Sequence, residues 1–154
     1  MDIVQINTND GISKEELFNI LYVLESQWHP SMADDITNLH IYSEKIYDNA
    51  VVLGALINKK IVGIAAVYAN DISSRCAYLT YIALLEEYSH VGIGSQLLIH
   101  VEGISSEKCM NKLMLEVDDN NVRAKTFYKK MGYVTSGIAR QNHTFMVKRI
   151  GEKE

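Results

Sequence analysis

The residues Gly92-Ile93-Gly94 stand between a Val/Ile/Leu-containing run that ends near Leu85 and a helical pattern that starts at Ile93. Glycine lets the backbone approach a ligand closely, and the free amides of a helix N-terminus attract anions, so this order predicts a site for a phosphate-bearing cofactor. Taken alone, GxG also fits a tight strand-to-helix turn that binds nothing. Two phosphate motifs are excluded by the neighbours: Gly94-Ser95-Gln96 stands where a Walker loop requires Gly-Lys-Ser/Thr, and Leu97 stands where a dinucleotide fingerprint requires its third glycine. Tyr128 is a phenol whose ordinary pKa near 10 keeps it protonated at neutral pH. Periodicity alone favours Tyr128 as an apolar-face residue beside Phe127. The five histidines are scattered without HExxH spacing, so no metal site is expected. Cys76 and Cys109 have no CxxC or CxxH partner and read as incidental buried thiols of a reducing compartment.

These groups need elements to position them. Ile3 to Ile6 reads as a short strand, and Ser13-Lys14-Glu15-Glu16 has the spacing of a capping box opening a helix whose face carries Leu17, Ile20, Leu21 and Leu24. The segment Ser26 to Met32, with the chain's single proline at Pro30, is expected to break that helix. A second helix follows, with Asp34 or Asp35 near its start and Ile36, Leu39, Ser43 and Ile46 at helical spacing. Ala50 to Ile57 and Ile61 to Tyr68 form a hairpin around Asn58-Lys59-Lys60, and a third strand runs from about Cys76 to Leu85. Ile93, Leu97, Leu98, Val101 and Ile104 mark a helix that leads to a strand at Lys112 to Val117. This βαβ unit makes its two strands parallel. A last helix spans about Asn121 to Met131, with Gly132 as its C-terminal cap, and strands near Tyr133 to Ile138 and Thr144 to Ile150 end the series. The fold class is α+β, with a mostly antiparallel mixed sheet.

Composition bounds the rest. The chain has 154 residues, enough for one domain, and its 47% hydrophobic and 22% charged content fits a globular protein. The net charge of -4 argues against a protein whose main task is to neutralise nucleic-acid phosphates. No apolar run approaches the roughly 20 residues of a membrane span. The first residues carry neither a basic region nor a long apolar region, so a secretory signal is not expected and a cytoplasmic location is.

The run from Tyr81 to Leu98 resembles the acetyl-CoA motif of the GNAT superfamily of N-acetyltransferases, and the run from Leu115 to Tyr133 resembles its second motif, with Asn121, Ala124, Phe127-Tyr128 and Gly132-Tyr133 at the usual positions. The pair is far more specific than either half. One position departs: the loop has Ser89 where the family usually has Gln or Arg, so one side-chain donor is lost while the backbone amides remain. By this resemblance residues 1–154 form a single N-acetyltransferase domain with acetyl-CoA as cosubstrate and no metal. The backbone of Ile82 and Leu84 would bond the acetyl oxygen and pantetheine. Ser89, His90, Val91, Gly92, Ile93, Gly94 and Ser95 would ring the pyrophosphate. Asn121 would contact the CoA arm, a role compatible with a helix N-cap, and Tyr128 would lie near the sulfur as the catalytic acid.

The reaction implied is direct attack of a neutral amine on the thioester. Glu116, Tyr81, His40 and His29 are candidate bases, and none stands out. In the superfamily the segment between the first two helices borders the acceptor, and here it offers Trp28, His29, Met32, Asp34 and Asp35, an aromatic wall with carboxylates suited to a cationic amine or a sugar ring. A solvated helix start explains the two aspartates as well. The expected partner is a small-molecule primary amine, amino sugars among them, ahead of a protein or peptide amine, with no nucleic acid or membrane and a monomeric or homodimeric state. Two other classes stay open, a non-catalytic CoA-binding sensor and an unrelated nucleotide-binding enzyme.

Overall fold

The computed structural model describes residues 1–29 and 34–151. Among them are seven strands, β1 (Asp2–Gln5), β2 (Val51–Ile57), β3 (Lys60–Tyr68), β4 (Cys76–Leu84), β5 (Lys112–Asp118), β6 (Val134–Arg140) and β7 (His143–Arg149). The α-helices are α1 (Lys14–Trp28), α2 (Ile36–Asn49), α3 (Ile93–Glu107) and α4 (Val122–Lys130). The strands join one sheet in the order β1-β2-β3-β4-β5-β7-β6. The β1–β2, β5–β7 and β6–β7 pairs are antiparallel, and β4–β5 is parallel, as the crossover through α3 requires. The fold is thus the expected mixed, mostly antiparallel α+β arrangement.

Two compact units are distinguished, Met1–Ala66 with Tyr81–His100, and Val67–Thr80 with the chain from Val101 onward. The first holds β1, β2, most of β3, the end of β4, α1, α2 and the first half of α3. Its helix α1 begins with the expected capping box: Ser13 Oγ accepts from the Glu16 amide at 3.1 Å, and Glu16 Oε1 accepts from the Ser13 amide at 2.9 Å. Leu17, Leu21 and Leu24 from this helix are at most 1% exposed and belong to the buried apolar core of the first unit. Each such leucine contributes about 1.5–3 kcal/mol by leaving water. The helix runs to Trp28 rather than stopping near Ser26, because Pro30 restricts only the residue before it, and His29 with φ -141° is the C-cap. Helix α2 is capped by Asp35, and Leu39, Ser43 and Ile46 are buried, while Ile36 at its first position is half exposed. The β2–β3 hairpin closes in two residues, with Asn58 and Lys59 both at positive φ.

The second unit is built on β5, β6 and β7, with the start of β4, the second half of α3 and α4. Leu113, Leu115 and Val117 of β5 point to its core with Val101, Met110, Tyr133 and Met146. Glu116 falls between two of these on the other face, as its alternation predicts. Gly132, at φ +99°, follows α4 as the expected cap. The cysteines depart from expectation. Cys109 is exposed at φ +71° just past α3, and Cys76 is half-buried; both are free thiols. Among the described residues, no helix is long and apolar enough to cross a membrane.

Candidate active site

Strand β4 pairs with β5 over four residues, Cys76 to Leu79 against Lys112 to Leu115, and Tyr81–Leu84 lies beyond that ladder. Close packing holds this end of β4 within the first unit. The Leu85 amide donates to the Val62 carbonyl at 2.8 Å. A Cβ on Gly63 would stand 2.4 Å from Leu84 Cδ2 and 3.2 Å from Leu97 Cδ1, so only glycine lets Leu84 lie against β3 and α3. Helix α1 pins the same end: the Trp28 indole N–H donates to the Leu84 carbonyl at 2.7 Å, and Gln27 Oε1 accepts from the Glu86 amide at 2.8 Å. One lone-pair direction of Leu84 is therefore occupied by the protein's own tryptophan.

A 3-10 turn at Glu86–Tyr88 leads to the glycine loop. Ser89 Oγ donates to the Glu86 carbonyl at 2.8 Å, so its hydroxyl closes this turn. His90, Val91 and Gly92 are exposed, whereas Ile93 is buried and anchors the start of α3. Gly92 has φ +86°, a conformation L side chains rarely adopt, and nothing lies within 4 Å of where its Cβ would stand. The first turn of α3 follows, and its amides, including those of Gly94 and Ser95, have no acceptor within the helix. This combination of donors, clearance and partial positive charge fits a diphosphate.

In the second unit Asn121 is the N-cap of α4, its side chain accepting from the Ala124 amide at 3.0 Å. Tyr128 is the buried residue of that helix, 8% exposed, with ring contacts to Phe127 and Tyr133. Burial pushes its phenol up to about 12, so it carries its proton at any physiological pH. Tyr133 packs on it while donating to Glu102 at 2.7 Å; Lys148 also donates to that carboxylate at 3.1 Å. Burial and then the Glu102 hydrogen bond push the Tyr133 phenol far up, making it a fixed support.

The candidate bases separate by environment. Tyr81 donates to Glu25 at 2.7 Å, and burial followed by the Glu25 charge holds its phenol well above the ordinary value, so it is a poor base. His40 stacks on Phe18 with ring centroids 3.6 Å apart. Glu116 is ion-paired with Arg140, and His143 Nε2 stands 4.0 Å away. His29 is exposed at the end of α1. Of the acceptor-side candidates, Trp28 is half-buried and fixed by its indole hydrogen bond, Asp35 is committed to capping α2, and Asp34 is exposed. Met32 lies outside the described residues. Among those residues no group of three metal-ligating side chains occurs.

Glu25 was not among the sequence candidates, although it is 6% exposed. Its signal was its position, four residues after Leu21 and three before Trp28, inside the apolar stripe of α1.

The chain belongs to the acetyltransferase (GNAT) family, whose sequence model matches residues 15–133. It is accordingly an acyltransferase of the acetyl-CoA-dependent N-acetyltransferase type. Among solved structures it is similar to aminoglycoside 6'-acetyltransferase type Ii, with TM-score 0.82 and 18% identity over 100% of both chains. It is also similar to PaiA N-acetyltransferase from Thermoplasma acidophilum in complex with coenzyme A, with TM-score 0.71 and 21% identity over 97% of this chain and 99% of that one. A third is the ribosomal-protein-S18-alanine N-acetyltransferase from Escherichia coli, with TM-score 0.74 and 17% identity over 99% and 96%. At these identities the likeness concerns the fold. No curated protein sequence matches the chain significantly.

Proposed function

We propose that this single-domain enzyme transfers the acetyl group of acetyl-CoA to a primary amine of a small molecule, with amino sugars the favoured class. The observation that carries this reading is the indole of Trp28, fixed by its 2.7 Å hydrogen bond to Leu84 as an aromatic wall at the end of β4. A rigid aromatic face suits a cationic amine or the apolar face of a sugar ring. The similar fold of an aminoglycoside acetyltransferase supports the amino-sugar class. A protein N-terminal amine is the second reading, supported by the ribosomal-protein alanine acetyltransferase among the similar structures.

In this reading the backbone of Ile82 and Leu84 takes the acetyl oxygen and pantetheine, with the free side of the Leu84 carbonyl used. The backbone from Ser89 to Ser95, with His90, Val91, Gly92, Ile93 and Gly94 between them, holds the pyrophosphate. Asn121 contacts the CoA arm while capping α4. A neutral amine attacks the thioester carbonyl, the N–C bond forms, the C–S bond breaks, and the proton shed by the nitrogen passes to water, from which Tyr128 is later reprotonated. Tyr128, kept protonated by burial, gives its proton to the departing sulfur. A thiol-release assay over a panel of kanamycin, glucosamine, spermidine and an alanine-initiated hexapeptide tests the reading. Turnover highest with an amino sugar is expected; turnover confined to the hexapeptide would favour the second reading, and none with any amine would refute both.

A further inference from the structure

Buried carboxylates are normally paired with a cation, because the cost of leaving water is otherwise not offset. Glu25 departs from this rule. It lies on the inner face of α1 at 6% exposure, and among the described residues it forms no ion pair. The side-chain donor on it is the Tyr81 hydroxyl of β4, at 2.7 Å. That phenol holds its own proton, its pKa raised by burial and then by the neighbouring Glu25.

The surroundings suit an organic cation. Tyr42 of α2 packs its ring against Tyr81, with centroids 6.2 Å apart and planes inclined by 52°. Trp28 follows Glu25 by three residues on the same helical face, and its ring orientation is set by the Leu84 carbonyl. Carboxylate and aromatic faces together recognise an ammonium, the first by charge and hydrogen bonding, the second by the ring quadrupole.

We propose that Glu25 determines specificity by receiving the protonated primary amine of the acceptor, with Tyr81 as the residue that positions its carboxylate. This rests on the amine-acceptor reading above. It also gives β4 a double use. Tyr81 immediately precedes Ile82, and alternation along the strand sends Tyr81 toward α1 while Leu84 packs toward α3. The amine is thus gathered on the strand whose end is assigned to the acetyl group.

Trp28 is the chain's one tryptophan, so its indole N–H resonance is a unique reporter beside Glu25. Wild-type protein is titrated with n-butylammonium chloride and, separately, with n-butanol at equal ionic strength, and both titrations are repeated on Glu25→Gln. Glutamine retains an acceptor for the Tyr81 hydroxyl, and thermal unfolding checks its fold. A saturable shift with the ammonium, at least about tenfold weaker with the alcohol and in Glu25→Gln, is expected for loss of a charge-assisted contact. An equal response to the alcohol, no response to the ammonium, or an unchanged response in Glu25→Gln would overturn the assignment. Should Glu25→Gln not fold, the wild-type comparison of ammonium with alcohol decides. Failure of thiol release with every amine, with butylammonium binding intact, would instead defeat the acetyl-transfer reading.

Discussion

Removing the Tyr128 hydroxyl is the most informative perturbation of the proposed chemistry, because Tyr128→Phe keeps the ring contacts to Phe127 and Tyr133 and deletes one donor. With its phenol at about 12, Tyr128 is ionised to only about 0.1% at pH 9, against about 10% for an unperturbed tyrosine. The acid is therefore fully loaded throughout the assay range. A hydrogen bond to a group that becomes charged contributes about 1.5–3 kcal/mol, or roughly 10- to 150-fold in rate. Proton donation in the transition state adds to the upper end, so kcat should fall by about 10²-fold while the KM for acetyl-CoA changes little. Steady-state thiol release with the best amine of the panel measures this. An undiminished kcat would refute the acid role, and an equal loss in CoA affinity would reassign Tyr128 to binding.

The same shift makes a separate statement about stability. A folded-state pKa near 12 against about 10 in the unfolded chain means that the native state keeps its proton longer. The contribution of about 3 kcal/mol is fully present below pH 10 and is lost as pH rises toward 12. Wild-type Tm should fall across that window, and Tyr128→Phe should show a shallower fall. Parallel curves for the two proteins would show that burial of Tyr128 is not what shifts it.

Three further outcomes are expected. Ser13→Ala should lower unfolding free energy by about 1 kcal/mol in urea melts while kcat stays unchanged, because it removes only the N-terminal cap of α1; unaltered stability would mean the box is not formed in solution. Gly94→Leu should weaken CoA binding by at least about tenfold in calorimetry by crowding the first turn of α3, and unchanged affinity would contradict the placement of the pyrophosphate. Gly63→Ala puts a methyl 2.4 Å from Leu84 Cδ2 and should cost about 1–3 kcal/mol of stability with reduced activity; no loss of Tm would show that Leu84 moves aside freely.

Much of the fold was legible because it is written in local codes. Ser13 and Glu16 announced the start of α1 through a contact spanning three residues. The crossover from β4 through α3 to β5 imposed parallel pairing, and the observed register confirms it. Expectation failed where long-range contacts prevailed. The last turn of α1 survives beside Pro30, with Gln27 and Trp28 held by β4 and the turn after it, a pairing that sequence periodicity cannot show. Cys109 was expected inside, yet a positive φ after α3 turns it outward.

The candidate site divides along the same line. As structural features, the Gly92 turn, the Asn121 cap and the inward-facing Tyr128 were legible because they depend on backbone geometry, capping and helical periodicity among near neighbours. Their environments were not. Tyr128 acquires a phenol at about 12 only because the packed unit excludes water from it. Ser89 spends its hydroxyl on the turn before the loop, and Trp28 occupies part of the carbonyl that the sequence assigned to pantetheine. Glu25 looked like an ordinary helical glutamate until folding buried it against Tyr81. Sequence alone determined the elements, the family resemblance and the glycine loop, since these are encoded by residue type and short spacing. The tertiary structure decided which ionisable groups lose water and which partners they meet, because desolvation and pairing depend on residues that converge only when the chain has folded.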